Sequence, residues 1–136
     1  MIYLLDTDHI TLLQHGHEKV STRFRELRGE TVVCVSSYEE QMRGWLAVIN
    51  QANNPEKIAY AYRSLEEMFR FFSDMPFVGF NPAAITIYQT LRQRHRRQGK
   101  MDLQIAATAL ELEATLVTRN TQDFIDIENL RLENWA

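Results

Sequence analysis

The sequence predicts an α/β protein of one domain, residues 1–136, built around a mostly parallel central sheet. Short apolar runs alternate along the chain with longer segments of helical periodicity, which is the order of elements in βα units. The apolar runs are continuous, as is typical of strands that helices cover on both faces. The chain contains no repeat, linker or low-complexity segment, and its 136 residues suit a single core.

The first half of the chain contains two predicted strands. Ile2–Leu5 is a continuous apolar run, and Thr31–Ser36 is rich in β-branched residues. Asp6 follows the first run and can cap a helix whose apolar side begins at Ile10. A further helix is predicted from about Ser37.

Two long helices are predicted in the middle of the chain. Asn53-Asn54-Pro55 ends one helix and starts the next, with Pro55 suited to the first turn. Apolar residues then recur at helical spacing: Tyr62, Leu65, Met68, Phe69 and Phe72. Because this pair lies between strands, we expect it to project from the sheet as a helical hairpin.

The second half continues the alternation of strands and helices. A glycine is expected to end the first of its helices. In chain order, the predicted elements are a strand at Phe77–Phe80, a helix from Asn81-Pro82 toward Gln98 that ends at Gly99, a helix at Asp102–Glu113, a strand at Leu116–Thr118 and an edge strand at Leu130–Leu132.

The composition favours a cytoplasmic protein without a membrane span. No apolar run approaches the roughly 20 residues that cross a bilayer, and the first residues lack the basic region of a signal peptide. Cys34 is the only cysteine, which excludes an intramolecular disulfide. The formal net charge of −3 does not favour non-specific nucleic-acid binding, although segregated charge still permits it.

Acidic and amide side chains recur where predicted strands give way to helices. They are Asp6 after the first strand, Glu40 in the first turn after the second, Asp102 at the head of a late helix, and Asn120 and Asp123 after the strand ending at Thr118. Ligands of open α/β sheets bind outside the carboxyl ends of the strands, so these groups are expected to converge. Clustered carboxylates repel one another unless a cation lies among them, and Mg²⁺ or Mn²⁺ is the natural occupant.

Each of these acids also has a purely structural interpretation. Asp6 can cap a helix, and Ser37 with Glu40 matches a capping box. Asp102 suits the first turn of a helix, and Asp123 suits a turn. The occurrence of acids at four such transitions favours a shared site over four separate caps.

Five segments carry a resemblance to a known family: Leu4–Asp8, Val35–Gly44, Met101–Ala107, Leu116–Phe124 and Leu130–Trp135. Together they resemble the PIN-domain family, and within it the VapC-like toxin ribonucleases of type II toxin–antitoxin systems. They occur in the family's order and span nearly the whole chain. In the second segment the family's acid precedes a glycine by four positions, which selects Glu40 over Glu39.

This resemblance implies a fold, an activity and partners. The fold is a three-layer α/β/α arrangement with a projecting helical hairpin. The activity is Mg²⁺- or Mn²⁺-dependent hydrolysis of RNA phosphodiester bonds. The partners are RNA, a second copy of the chain in a homodimer, and a cognate antitoxin that occupies a groove and blocks the active site.

The resemblance also assigns residue roles. Asp6 and Asp102 are expected to bind the metal directly, Glu40 to bind it or orient water, and Asp123 to complete the site, with Thr7, Thr118 and Asn120 as hydrogen-bonding support. Two departures from the family pattern stand out. Asp8 replaces the usual asparagine, and Asn120 occupies one of two places for the fourth acid, which favours Asp123.

Two further segments carry candidate binding residues. Five cations crowd into nine positions before Asp102 and are interpreted as an RNA backbone clamp or, alternatively, as a solvated helix end: Arg92, Arg94, Arg96, Arg97 and Lys100. The His15-Gly16-His17-Glu18 segment invites a zinc interpretation, but its spacing matches no usual structural zinc site. His9 is expected on a helix surface or in the core.

Three alternatives to the nuclease remain open at this stage. Asp6-Thr7-Asp8 resembles the nucleophile loop of haloacid-dehalogenase-like phosphatases, but Asp102 offers only one of the paired acids that such enzymes need. A receiver-like domain gathers acids around Mg²⁺ but expects a lysine where this chain has Arg119. A PIN-like fold that only binds RNA or protein is the non-enzymatic alternative.

Overall fold

The computed structural model describes all residues 1–136 and contains five strands and seven α-helices. The strands are β1 (Tyr3–Leu5), β2 (Thr31–Cys34), β3 (Phe77–Val78), β4 (Thr115–Val117) and β5 (Arg131–Glu133). The helices are α1 (Thr7–Gln14), α2 (Glu18–Glu26), α3 (Val35–Gln51), α4 (Pro55–Ser73), α5 (Pro82–Arg94), α6 (Lys100–Glu111) and α7 (Thr121–Phe124), and a 3₁₀ helix (Arg28–Glu30) precedes β2. None of these helices combines the length and apolarity needed to cross a bilayer.

The five strands form one sheet in the order β3-β2-β1-β4-β5, and every neighbouring pair is parallel. Leu4 in the central strand β1 lies opposite Val32 of β2 and Leu116 of β4. The predicted α/β class is therefore confirmed, with a sheet that is wholly parallel. Since all strands run the same way, their carboxyl ends lie along one edge.

Helices cover both faces of the sheet and bury two apolar clusters. Successive side chains of a strand point to opposite faces, so Leu4 faces one cluster and its neighbours Tyr3 and Leu5 face the other. Helices α5, α6 and α7 contribute to the cluster around Leu4. Helices α1, α2 and α4 contribute to the opposite cluster. This arrangement is the expected three-layer α/β/α fold.

Helices α3 and α4 form the expected hairpin. Its turn lies at Asn53 and Asn54, and the Oδ1 atom of Asn54 accepts a hydrogen bond of 2.9 Å from the N–H of Lys57 at the start of α4. Only Ser36 and Ser37, at the start of α3, are buried in that helix. The pair leaves several large apolar side chains exposed: Leu46, Val48, Ile58, Tyr60, Tyr62 and Phe69.

The structure corrects three predicted boundaries around the later site. Strand β2 ends at Cys34 instead of Ser36, and α3 begins at Val35. Helix α5 ends at Arg94, well before Gln98. Gly99 has a φ of −63° and is the N-cap of α6, so it starts a helix where the sequence predicted that it ends one. Other boundaries differ by one to a few residues.

Helix α2 is an element that the sequence analysis did not predict. Among its residues only Val20 is fully buried. Val20, Phe24 and Leu27 lie at positions i, i+4 and i+7 and pack on the same core cluster. This spacing is the local signal that would have indicated the helix.

Candidate active site

A cleft of about 310 Å³ lies at the carboxyl edge of the sheet, beside the end of β1. Its walls come from α1, α3, α6 and the turn after β4. The lining residues are Asp6, Thr7, Asp8, Thr11, Glu40, Asp102, Ile105, Arg119 and Asn120. The parallel sheet thus brings together acids that are far apart in the sequence.

Asp6 has both a structural and a chemical role in this cleft. It is the N-cap of α1, and its Oδ1 atom accepts a hydrogen bond of 2.8 Å from the N–H of His9. Its own N–H donates to the carbonyl oxygen of Val117 at 3.0 Å, which extends the pairing of β1 with β4. Asp6 is buried, and its Oδ2 atom makes no hydrogen bond within the chain. One carboxylate oxygen therefore fixes the helix, and the other remains free.

Glu40 lies in the second turn of α3, because that helix begins at Val35 rather than near Ser37. The predicted capping box is wrong, since Cys34 is the N-cap and makes no side-chain cap. Ser37 instead accepts a hydrogen bond of 3.1 Å from the hydroxyl of Thr7. The neighbouring Glu39 forms an ion pair with Arg43 on the same helix, whereas Glu40 lines the cleft.

Asp102 is the third residue of α6 and is surrounded by negative charge. Burial raises the pKa of its carboxyl above the ordinary value of 3.8, and the charges of Glu40, Asp6 and Asp123 raise it further in that order. The raised pKa reflects the repulsion of Asp102 by three neighbouring carboxylates. No cation of the chain offsets this repulsion at Asp102.

Asp123 lies farther from the centre than the other three acids. It is exposed near the start of α7 and does not line the cleft, although its charge reaches Asp102. Its carbonyl oxygen accepts a hydrogen bond from the side chain of Gln98. The cleft-lining group from this turn is Asn120, whose N–H donates to the hydroxyl of Thr118 at 3.0 Å. Thr118 therefore shapes the turn after β4 and donates to no carboxylate.

Arg119 lines the cleft, a position that the sequence did not predict for it. Its guanidinium donates two hydrogen bonds to Asp8, from Nε to Oδ2 at 2.5 Å and from Nη2 to Oδ1 at 2.7 Å. These bonds and the charge of Asp8 raise the pKa of Arg119. Arg119 follows the carboxyl end of β4 directly, so the strand-end rule that identified the acids would also have identified this cation.

The five cations predicted to contact RNA all lie outside the lining of the cleft. They are Arg92, Arg94, Arg96, Arg97 and Lys100. Arg92 stacks over the ring of Tyr88 at 5.9 Å, and Arg94 lines a separate cavity of about 420 Å³. Lys100 is the first residue of α6, two positions before Asp102. Their proximity in sequence to Asp102 does not place their side chains in the acidic cleft.

His15 and His17 lie at helix ends. The Nδ1 atom of His17 accepts a hydrogen bond of 3.3 Å from the N–H of Val20 and caps α2. His15 ends α1 and lies in a cavity with Trp45 and Tyr60. The segment that invited a zinc interpretation is therefore a junction between two helices.

One group of side chains in this region has ligand atoms close enough together to share a cation. Asp6, Asp8 and His9 each place one ligand atom within 4.8 Å of the others. However, both oxygens of Asp8 bind Arg119, and the Nε2 atom of His9 accepts the N–H of Trp135. The carboxylates of Asp6, Glu40 and Asp102 line the same cleft and retain free oxygens, which are the ligands that hard divalent cations such as Mg²⁺ or Mn²⁺ prefer. Their ligand atoms do not all lie within 4.8 Å of one another.

A parallel three-layer fold with carboxylates gathered at one sheet edge is the arrangement of a PIN domain. The chain belongs to this family, since residues 3–130 match the PIN domain model. The expected resemblance is thereby confirmed. The match to this family favours the nuclease over both aspartyl-phosphate alternatives.

The relatives within the family are VapC proteins. The chain is 26% identical to the Ribonuclease VapC2 of Haemophilus influenzae over 139 residues, which cover 98% of each protein. It is also 26% identical to the tRNA(fMet)-specific endonuclease VapC of Shigella flexneri, again over 98% of each. The crystal structure of VapBC2 from Rickettsia felis, bound to a DNA fragment from its promoter, matches all of this chain with a TM-score of 0.81 and 25% identity.

Proposed function

We propose that this protein is a metal-dependent endoribonuclease that hydrolyses RNA phosphodiester bonds and acts as the toxin of a toxin–antitoxin pair. The observation that carries the proposal is the convergence of Asp6, Glu40 and Asp102 in one cleft of a PIN fold. The similarity to proteins named ribonuclease, over nearly the full length of both chains, supports the same activity.

The four carboxylates have different roles in this proposal. Asp6 and Asp102 hold the cation, because both are partly or fully buried and come from rigid helix starts. Glu40 is exposed and either completes the binding or orients the attacking water. Asp123 lies outside the cleft and acts on the site through its charge. Bound Mg²⁺ or Mn²⁺ lowers the pKa of water and offsets the charge that develops on the phosphate.

Positive charge is needed because a cleft of carboxylates repels RNA. Arg119 is the one cation among the residues that line the cleft, so it is our candidate for contact with the phosphate at the cleavage site. Arg96, Arg97 and Lys100 are exposed on the segment leading into α6. We assign them, with Arg92 and Arg94, to the RNA backbone on either side of that phosphate.

The exposed side of the α3–α4 hairpin suits an antitoxin. A groove of about 440 Å³ there is lined mainly by apolar side chains, among them Tyr38, Met42, Leu65 and Phe69. The matching Rickettsia felis protein was crystallised as a VapBC complex, which supports an apolar segment of a partner protein as the occupant. The chain is also proposed to form a homodimer.

The activity is tested by incubating purified protein with a mixed tRNA and mRNA pool in Mg²⁺, in Mn²⁺ and in EDTA. Glu40→Gln and Asp102→Asn are compared with Glu39→Gln, a matched control because Glu39 lies on α3 but pairs with Arg43. Cleavage that needs metal, is lost in the first two variants and persists in Glu39→Gln supports the nuclease. RNA left intact by the wild type in both metals favours a binding module instead.

A further inference from the structure

His9 lies directly behind Asp6 and is completely buried. Its Nδ1 atom is 3.5 Å from the Oδ1 atom of Asp6. On the other side of the ring, Nε2 accepts a hydrogen bond of 3.2 Å from the N–H of Trp135. The imidazole therefore stands between the carboxylate at the cleft and the main chain just beyond β5.

The contact with Trp135 determines which nitrogen of His9 carries the proton. A backbone N–H can only donate, so Nε2 must present its lone pair and cannot itself be protonated. An imidazole in this state carries its proton on Nδ1, because the hydrogen bond at one nitrogen fixes the tautomer. The Nδ1–H group then points to the side of the ring on which Asp6 lies.

This Nδ1–H group is a buried donor with no hydrogen bond inside the chain. An unsatisfied buried donor destabilises the folded protein, so a compensating acceptor is expected. The Oδ1 atom of Asp6 lies 3.5 Å from Nδ1, just beyond normal hydrogen-bond distance, and is the acceptor that we assign to it. Hydrogen bonds of this kind are often long before a site is loaded and shorten afterwards.

We propose that His9 is a positioning residue for Asp6. Its Nδ1–H donates to Oδ1 and, together with the His9 main-chain N–H, leaves Oδ2 as the oxygen that faces the cation. This inference rests on the proposed metal site at Asp6. Groups that hold a metal-binding carboxylate or imidazole in place typically change metal affinity about 10–100-fold when removed.

The contact between Trp135 and His9 connects the C-terminal segment to the site. Trp135 is buried, and its ring packs edge-on against His9 with centroids 6.5 Å apart. It also packs against Tyr3 of β1 at 5.6 Å. Trp135 thus fixes both the position and the tautomer of His9, although its own side chain does not reach the cleft.

Two substitutions separate positioning from simple core packing. His9→Asn places an amide N–H near the former Nδ1 and can still donate to Asp6. His9→Gln places its amide near the former Nε2, where its oxygen can accept from Trp135 but nothing donates to Asp6. Both variants replace a buried ring by a smaller amide, so they share the packing loss, and thermal unfolding measures it.

The first readout is Mn²⁺ affinity, measured by titration calorimetry without RNA. We expect His9→Gln to bind Mn²⁺ at least about tenfold more weakly than wild type and His9→Asn to stay within about threefold. The second readout is the ring ¹⁵N spectrum of the wild type in EDTA and mildly alkaline buffer. We expect a protonated Nδ1 and a bare, pyridine-type Nε2.

Equal Mn²⁺ affinities for the two variants, or a protonated Nε2 in the wild type, would overturn the proposal. The ¹⁵N spectrum decides the question even if neither variant folds. Since neither readout involves RNA, a wild type that binds Mn²⁺ as expected but leaves RNA intact would refute the nuclease and retain the role of His9. RNA cleavage by a wild type whose Nε2 is protonated would support the nuclease and refute the role of His9.

Discussion

Asp8 and Arg119 form a two-bond ion pair in the acidic cleft, with nitrogen–oxygen distances of 2.5 and 2.7 Å. The pair joins the first turn of α1 to the turn after β4. Both Asp8 oxygens are occupied by the guanidinium, unlike the free oxygen of Asp6. Asp8, which stands where the family usually has asparagine, is therefore an anchor for Arg119 rather than a metal ligand.

This assignment predicts different effects for the two partners. Asp8→Asn is expected to keep RNA cleavage within about threefold of wild type, because the proposed metal ligands Asp6, Glu40 and Asp102 remain. Arg119→Ala lowers kcat/KM by about tenfold, as expected for the loss of a charge-assisted phosphate contact. Both are measured by cleavage kinetics at several salt concentrations. An Asp8→Asn variant as inactive as Asp102→Asn would make Asp8 a metal ligand.

The placement of Asp6, Glu40 and Asp102 around one cleft could be predicted from the sequence because one simple rule governs it. In a parallel sheet the residues after each strand share an edge, so Asp6 and Glu40 meet without any knowledge of side-chain packing. The five cations from Arg92 to Lys100 could not be predicted in this way. Their directions depend on where α5 ends, and that helix ends at Arg94, before the run of polar residues is over.

Local helix signals also failed where a tertiary contact competed with them. Ser37 and Glu40 have the spacing of a capping box, yet the hydroxyl of Ser37 meets Thr7 and the helix starts two residues earlier. Conversely, Asn54 and Asn81 were recognised at helix starts because each side chain caps its own helix. Boundaries set by local chemistry are predictable, and those set by contact between elements are not.

A buried hydrogen bond between Ser36 and Gln104, 3.0 Å long, connects α3 to α6. These helices carry Glu40 and Asp102, so we expect the bond to help hold the two acids at their spacing. Ser36→Ala leaves the Gln104 oxygen unsatisfied, and we expect it to lower the free energy of unfolding by about 1–3 kcal/mol. Cleavage should fall as well. Ser73→Ala, at an exposed serine, is the control and should change stability by at most about 0.5 kcal/mol.

Urea denaturation of both variants gives the stabilities. Equal stabilities for Ser36→Ala and Ser73→Ala would show that the hydrogen bond between α3 and α6 has no net effect. A Ser36→Ala variant that loses stability but keeps full cleavage would show that the spacing of Glu40 and Asp102 tolerates its loss.

The raised pKa of Asp102 predicts a pH-dependent stability in the absence of metal. Its folded pKa lies above the ordinary 3.8, so the protonated carboxyl favours folding and this stability is lost as the pH rises through the folded pKa. Asp102→Asn should therefore melt at a higher temperature than wild type at neutral pH in EDTA. The difference should vanish below a pH of about 3.8 and shrink when Mg²⁺ is added. Thermal melts across this range check it, and a lower melting temperature for Asp102→Asn at neutral pH would contradict it.

Asp123 should contribute less to catalysis than Asp102, because it is exposed and acts on the cleft only through its charge. We expect Asp123→Asn to lower cleavage by about tenfold and Asp102→Asn by at least about a hundredfold. Excess Mn²⁺ should restore Asp123→Asn, whose central ligands are intact, but not Asp102→Asn. Asp126→Asn removes an exposed acid that lines a different cavity and serves as the control. If Asp123→Asn is as inactive as Asp102→Asn at every Mn²⁺ concentration, Asp123 binds the metal as directly as the central acids do.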